Sequence, residues 1–135
     1  MFRTAIFFTC LLTPMVGLGD SKDDASAEQS ARAWLALVDS GEYEASWEQA
    51  SELFKSKITA AQWSGAVAGV RQSLGGVISR DLESAMPAKK LLGAPDGHYL
   101  VLKFSTHFEN RLVSVETVTP KLDDGVWRVS GYFVQ

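Results

Sequence analysis

Cysteine is nearly absent from this chain. The single Cys10 lies in an apolar N-terminal run, so everything downstream of it must be held by packing and not by disulfides. Histidine is almost as scarce. His98 and His107 are the only two, and their odd spacing places them on opposite faces of an uninterrupted strand. With no thiolate to complete a ligand set, no metal site and no cofactor are expected. Positive charge is also short: 13 Lys and Arg stand against 16 Asp and Glu, for a net charge of −3, and the longest basic run is Lys89-Lys90. That balance leaves no electrostatic footprint for nucleic acid or for an anionic membrane. There is no glycine-rich phosphate loop and no serine elbow, since Gly75-Gly76 follows a predicted helix where a phosphate loop would precede one. No serine or threonine has a convincing base beside it.

What is present begins with a charged head, Met1-Phe2-Arg3, then an apolar run from Ala5 to Val16 and the small-residue pattern Gly17-Leu18-Gly19. This is the layout of a secretory signal peptide, and its apolar run is shorter than the roughly 20 residues that span a bilayer. Residues 1–19 are therefore read as a signal peptide cleaved after Gly19, residues 20–25 as a flexible leader, and residues 26–135 as one domain. The expected location is periplasmic or secreted, with no membrane attachment once the signal is removed. Only Arg3 of the 13 basic residues would be lost, leaving 12 against 16 acids, or −4.

Ser26-Ala27-Glu28-Gln29 has the form of a capping box, and Ala27, Ala31, Trp34, Leu35 and Val38 form the apolar stripe of a helix that stops at Gly41. A second helix is predicted from Glu42 to about Phe54, with Tyr43, Trp47, Ala50 and Phe54 on one side. Thr59-Ala60-Ala61-Gln62 repeats the capping box and opens a third helix to about Leu74, with Trp63, Val67, Val70 and Leu74 inward and Arg71 bordering the stripe.

The C-terminal third changes period. Leu100, Leu102, Phe104, Thr106 and Phe108 alternate with polar neighbours, the mark of a strand with one buried face. A poorly alternating strand is expected from Val77 to Ala85, ended by Met86-Pro87, and a Val/Thr-rich one from Leu112 to Thr119. Asp123-Asp124-Gly125 supplies a hairpin turn before Val126–Val134. A three-residue loop there pairs Leu122 with Val126, Glu116 with Tyr132 and Pro120 with Arg128. It puts Glu116, Arg128 and Tyr132 on one face and Trp127, Val129 and Phe133 on the other. The fold class is α+β: three N-terminal helices packed on a curved antiparallel sheet of about four strands.

The stretch Ala33-Trp34-Leu35-Ala36-Leu37-Val38-Asp39-Ser40-Gly41-Glu42-Tyr43, with Ser46-Trp47, Leu53-Phe54, Gln62-Trp63, Arg71-Gln72-Ser73-Leu74-Gly75 and Ser79-Arg80, resembles the bacterial secreted family called domain of unknown function 4019. Val115-Glu116-Thr117-Val118 and Gly125–Phe133 carry the same resemblance. It implies a cystatin-like or nuclear transport factor 2-like roll, a superfamily whose cavity hosts enzymes in some members and binding sites in others, so it leaves activity open.

The candidate ligand-binding residues are Arg71, Arg80, Glu116 and Tyr132, framed by Trp47 and Trp63. Together they would form a polar patch in an aromatic cavity, suited to a small anionic or amphipathic ligand, or else a structural bridge locking helix to sheet. No catalytic residue is assigned. His107 and Glu109 share a face and could pair as acid and base, though a solvated hairpin end explains them as well. The expected function is an exported accessory module that binds an unknown small molecule or protein. One alternative is an isomerase- or dehydratase-like enzyme using Glu116 and Tyr132. Another is a structural homodimer pairing through Tyr99, Val101 and Lys103.

Overall fold

The computed structural model describes residues 18–135, with side chains from Lys22 onward. The proposed signal peptide therefore falls almost wholly outside the described residues, residues 1–17 being beyond them. The elements run α1 (Leu18–Asp39), α2 (Tyr43–Gln49), α3 (Glu52–Lys57), α4 (Ala60–Leu74), β1 (Val77–Ala88), β2 (Tyr99–Phe108), β3 (Arg111–Asp123) and β4 (Val126–Val134). The strands form one antiparallel sheet in the order β1-β2-β3-β4, and α1 packs across β2, β3 and β4.

Helix α1 starts upstream of Ser26 and continues through residues 20–25, the stretch read as a leader, where Lys22, Asp23 and Ala25 are exposed. Because the backbone is already helical from Leu18, Ser26 lies inside the helix and not at its cap, and Asp23 and Asp24 fall near the positive end of the helix dipole. The predicted inward stripe, Ala27, Ala31, Trp34, Leu35 and Val38, is buried.

The expected second helix is two. Ala50 and Ser51 adopt extended backbone between α2 and α3, and Ser51 caps α3 by accepting from the Phe54 amide at 3.2 Å. The break has a tertiary use: the Ser51 amide donates to the Val129 carbonyl at 2.9 Å and its hydroxyl meets that of Ser130 at 2.7 Å. This covers the middle of the otherwise open edge of β4. The Thr59 capping box forms in full, with Thr59 Oγ1 accepting from the Gln62 amide and Gln62 Oε1 accepting from the Thr59 amide. Within α4, Trp63, Val67 and Leu74 are buried as expected, but Arg71 takes the fourth inward position and Val70 is 47 % exposed.

Helices cover the even face of β2, where Leu100, Leu102, Phe104, Thr106 and Phe108 are all buried. Tyr99 is buried too, its hydroxyl donating to the Pro95 carbonyl at 2.6 Å, so it is not available to a dimer face. Strand β1 passes through Met86-Pro87 to Ala88, and its weak alternation has a cause. Register shifts leave Ile78 and Glu83 as extra residues. The second shift changes the parity, so that Arg80 and Leu82 pair with Thr106 and Phe104, whereas Ala85 and the exposed Pro87 pair with Leu102 and Leu100.

The β3–β4 hairpin corrects the expected register. Asp123 pairs with Val126 across a two-residue turn, Asp124-Gly125, both with positive φ (51° and 78°). Leu122 then faces Trp127 and Pro120 faces Val129. A bulge at Ser130, opposite a proline that has no amide hydrogen to offer, restarts the ladder with Thr119 facing Gly131 and Val118 facing Tyr132. The bulge reverses the parity of the strand. Trp127, Val129 and Tyr132 therefore share the inner face with Glu116, whereas Arg128 and Phe133 are exposed.

Candidate functional site

At the C-terminal end of α1 the backbone turns at Gly41, whose φ of 77° a glycine adopts without strain, and Asp39 is the last helical residue. A carboxylate there sits at the negative end of the helix dipole and needs cations. Two are supplied. Arg80 of β1 donates to both Asp39 oxygens, at 2.8 and 3.0 Å, and Arg71 of α4 donates to Asp39 Oδ1. Behind this pair lies Glu116, at the centre of β3 and 0 % exposed. Its Oε1 accepts from Arg80 Nε at 2.7 Å and from the Thr106 hydroxyl at 2.6 Å, and its Oε2 accepts from the Tyr132 hydroxyl, with Arg71 Nη2 at 3.9 Å. The Arg71 guanidinium also lies over the Phe108 ring, 5.1 Å from its centroid.

The result is a balanced set of two guanidinium and two carboxylate groups, joined by two hydroxyls, that ties α1 and α4 to all four strands. Burial alone would raise the Asp39 pKa, but the hydrogen bonds and charges of Arg80, then Arg71, outweigh it and hold the carboxyl below its ordinary value. For Tyr132, burial and then the charge of Glu116 push the phenol well above its usual range, and the nearby arginines offset this only in part. Arg80 keeps its proton firmly despite burial, because Asp39 and Glu116 both accept from it.

The structure thus brings together Arg71, Arg80, Glu116 and Tyr132. Trp63 joins them through Tyr132, with ring centroids 6.2 Å apart, and Trp34 packs on both rings at 5.7 and 5.4 Å. Trp47 stands apart from this cluster. Its indole donates to the Ile58 carbonyl at 2.8 Å and Lys55 lies over its ring, so it ties α2 to the connection before α4. Asp39 and Ser46 are the members that local sequence pattern does not flag, while Thr106, expected on the buried face of β2, was not expected to bond Glu116. Ser46, fully buried in α2, accepts from Trp63 Nε1 at its hydroxyl and from Trp34 Nε1 at its carbonyl. The one available signal for Asp39 was a carboxylate in a last helical turn that holds no basic residue.

Glu116, in the middle of this network, has no exposed surface. Two open spaces flank β4. One is an apolar cleft of about 270 Å³ between α4 and the C-terminal half of β4, with Trp63, Val67, Val70, Tyr132, Phe133 and Val134 in its walls. Thr117 and Phe133 are partners in the ladder next to the doubly bonded Val115 and Gln135 pair. The backbone groups of Tyr132 and Val134 accordingly point away from β3, along the mouth of the cleft. The other space is a groove of about 490 Å³ between α1, α2 and the N-terminal half of β4.

His98 packs edge-on against Trp127, with ring centroids 5.6 Å apart, and Glu109 lies against Gly76 at the tip of the β2–β3 hairpin. Among the described residues no group of three or more His, Cys, Asp or Glu is placed to hold a metal. No helix among them is long and apolar enough to cross a membrane.

A family model described as "Protein of unknown function (DUF4019)" matches residues 30–132. No curated protein matches the chain.

Proposed function

The chain belongs to the DUF4019 family, whose description assigns no function, and on that premise we propose that it is an exported, non-catalytic binding module. In this reading the α4–β4 cleft takes an apolar group from a small ligand or a partner protein. The layout of residues 1–19 supports export, and helices laid against one face of a four-stranded antiparallel sheet are in keeping with the cystatin-like or nuclear transport factor 2-like roll.

The observation that carries the reading is the state of Glu116. A proton relay on Glu116 and Tyr132 requires a carboxylate with spare acceptor capacity beside room for substrate. Glu116 has no exposed surface, and both its oxygens are occupied by Arg80, Thr106 and Tyr132. The same network fixes Tyr132 in position, so that its ring and that of Trp63 become one wall of the cleft outside. Apolar lining with few polar groups suits binding without chemistry.

The test is fluorescence of an uncharged apolar reporter dye such as N-phenyl-1-naphthylamine with the chain from residue 20 onward. We expect saturable binding that Val70→Glu abolishes while circular dichroism stays native, since Val70 is a surface position of α4. Unchanged binding by Val70→Glu would remove the cleft from consideration.

A further inference from the structure

The two outer edges of the sheet are not treated alike along their length. An exposed edge offers backbone groups to any passing strand, and folded proteins blunt it with bulges, prolines or covering segments. Strand β1 carries register shifts at Ile78 and Glu83 and, further on, Pro87, which has no amide hydrogen to offer. Strand β4 is covered at Val129, whose carbonyl accepts from the Ser51 amide at 2.9 Å. The stretch from Tyr132 to Val134 has none of these devices. Gln135 and Val115 exchange both of their backbone bonds, so in the alternation of an antiparallel ladder the N–H and C=O groups of Val134 and Tyr132 turn away from β3. No backbone group beyond the sheet bonds to them among the described residues.

These groups border the α4–β4 cleft. Two donor–acceptor pairs along one strand, about 7 Å apart, match the backbone of one further strand and little else. Every second side chain of such a strand turns toward the helices, and the space it enters is the cleft of about 270 Å³ walled by Trp63, Val67, Val70, Tyr132 and Phe133. No wall residue is charged. Arg71 is the one ionisable residue of α4, and its side chain is buried and donates to Asp39. A charged side chain inserted here would lose its hydration without gaining a partner. A second copy of the chain is a poor occupant, because its β4 has only Tyr132 and Val134 to present on that face and both stand in the walls of its own cleft.

We propose that the cleft recognises an extended segment of a partner polypeptide, added as a short fifth strand beside Tyr132 and Val134, with an apolar side chain seated between α4 and β4. This rests on the reading of the cleft as the binding site and gives that site a partner class, an uncharged and β-prone stretch of chain.

The probe is the peptide Ser-Thr-Val-Thr-Phe-Thr-Val-Thr-Ser-amide with fluorescein on its N-terminus, in three forms: unmodified, N-methylated at Val, Phe and Val, and N-methylated at the Thr residues between and beside them. Fluorescence anisotropy with the chain from residue 20 onward should show saturable binding of the unmodified form. One methylated form should bind at least about tenfold more weakly, the scale of two lost hydrogen bonds, while the other, whose methyl groups face solvent, stays within about twofold. Which form is lost reports whether the added strand runs antiparallel or parallel to β4. Hydrogen exchange at the Val134 amide should slow in the complex, and Val70→Glu should abolish peptide binding. Saturable binding of N-phenyl-1-naphthylamine without binding of the peptide would overturn this proposal and leave the cleft as a small-molecule site, whereas a cleft that takes neither would remove the underlying reading as well. Equal affinities for the two methylated forms would also overturn it. So would a concentration-dependent dimer in sedimentation whose Val134 amide is protected without peptide.

Discussion

Replacing Glu116 with leucine takes one charge out of a four-charge network that is otherwise balanced. Two guanidinium groups would then share Asp39, whose side chain is 28 % exposed, and the hydroxyls of Thr106 and Tyr132 would lose their acceptor. Removing one member of a buried ion pair costs about 3–5 kcal/mol. The stranded hydroxyls push the expected loss toward the upper part of that range, equivalent to a fall in Tm of roughly 15 °C for a domain of this size. Adding Arg80→Met should restore some of it. Arg71 and Asp39 then remain as a one-to-one pair, and an apolar Met–Leu contact occupies the space of the lost bridge. We expect the double variant to be more stable than Glu116→Leu alone by about 1–3 kcal/mol. Urea unfolding followed by tryptophan fluorescence is the assay, because Trp34 and Trp63 pack directly on Tyr132. Where Glu116→Leu is too unstable to study, Glu116→Gln makes the same comparison with a smaller step. A loss below about 1 kcal/mol for Glu116→Leu would show that the network does not hold helix to sheet, as would a double variant less stable than the single one.

Three further outcomes follow from the same geometry. The Tyr132 phenol has its folded pKa raised above the ordinary 10.0, so stability is unaffected below that pH and falls as pH rises past it. Tyr132→Phe should flatten that alkaline limb in a pH series of urea midpoints. Asp39 is shifted the other way, below 3.8, so its contribution is present above about pH 4 and is lost as pH falls through the folded value; Asp39→Asn should shrink the acid limb. In α4, a Cβ at Gly65 or Gly69 would meet nothing within 4 Å, so each glycine-to-alanine change should stabilise the protein by up to about 1 kcal/mol, read as a rise in Tm.

Regular elements were the legible part of this fold. Strand β2 keeps strict alternation over Leu100–Phe108, and the Thr59 capping box and the α1 stripe form at the residues that their local patterns indicate. Bulges defeat period-2 reading wherever they occur. The extra residue Glu83 explains the poor alternation of β1, and the extra Ser130 puts Trp127 and Tyr132 on one face although their spacing is odd. The pairing of Glu116 with Tyr132 was foreseen from a three-residue turn. It arises instead from a two-residue turn and a compensating bulge, through a diagonal and not a directly opposed contact. The break at Ala50-Ser51 was hidden for a related reason. A continuous helical pattern crosses it, and the extended backbone is selected by the edge of β4, which lies 78 residues further on at Val129. Asp39 escaped because its partners, Arg71 and Arg80, are distant in sequence and only the assembled sheet brings them to the end of α1.

The most direct measurement of whether binding happens outside a closed polar interior is a nuclear magnetic resonance titration of the isotopically labelled chain with the apolar reporter dye. We expect shifts concentrated at Ala66, Val70 and Tyr132–Val134, while Arg80, Thr106 and Glu116 keep their positions. Shifts centred on Arg80, Thr106 and Glu116, with the α4–β4 cleft unmoved, would mean that ligand enters the network and that the interior is the functional cavity.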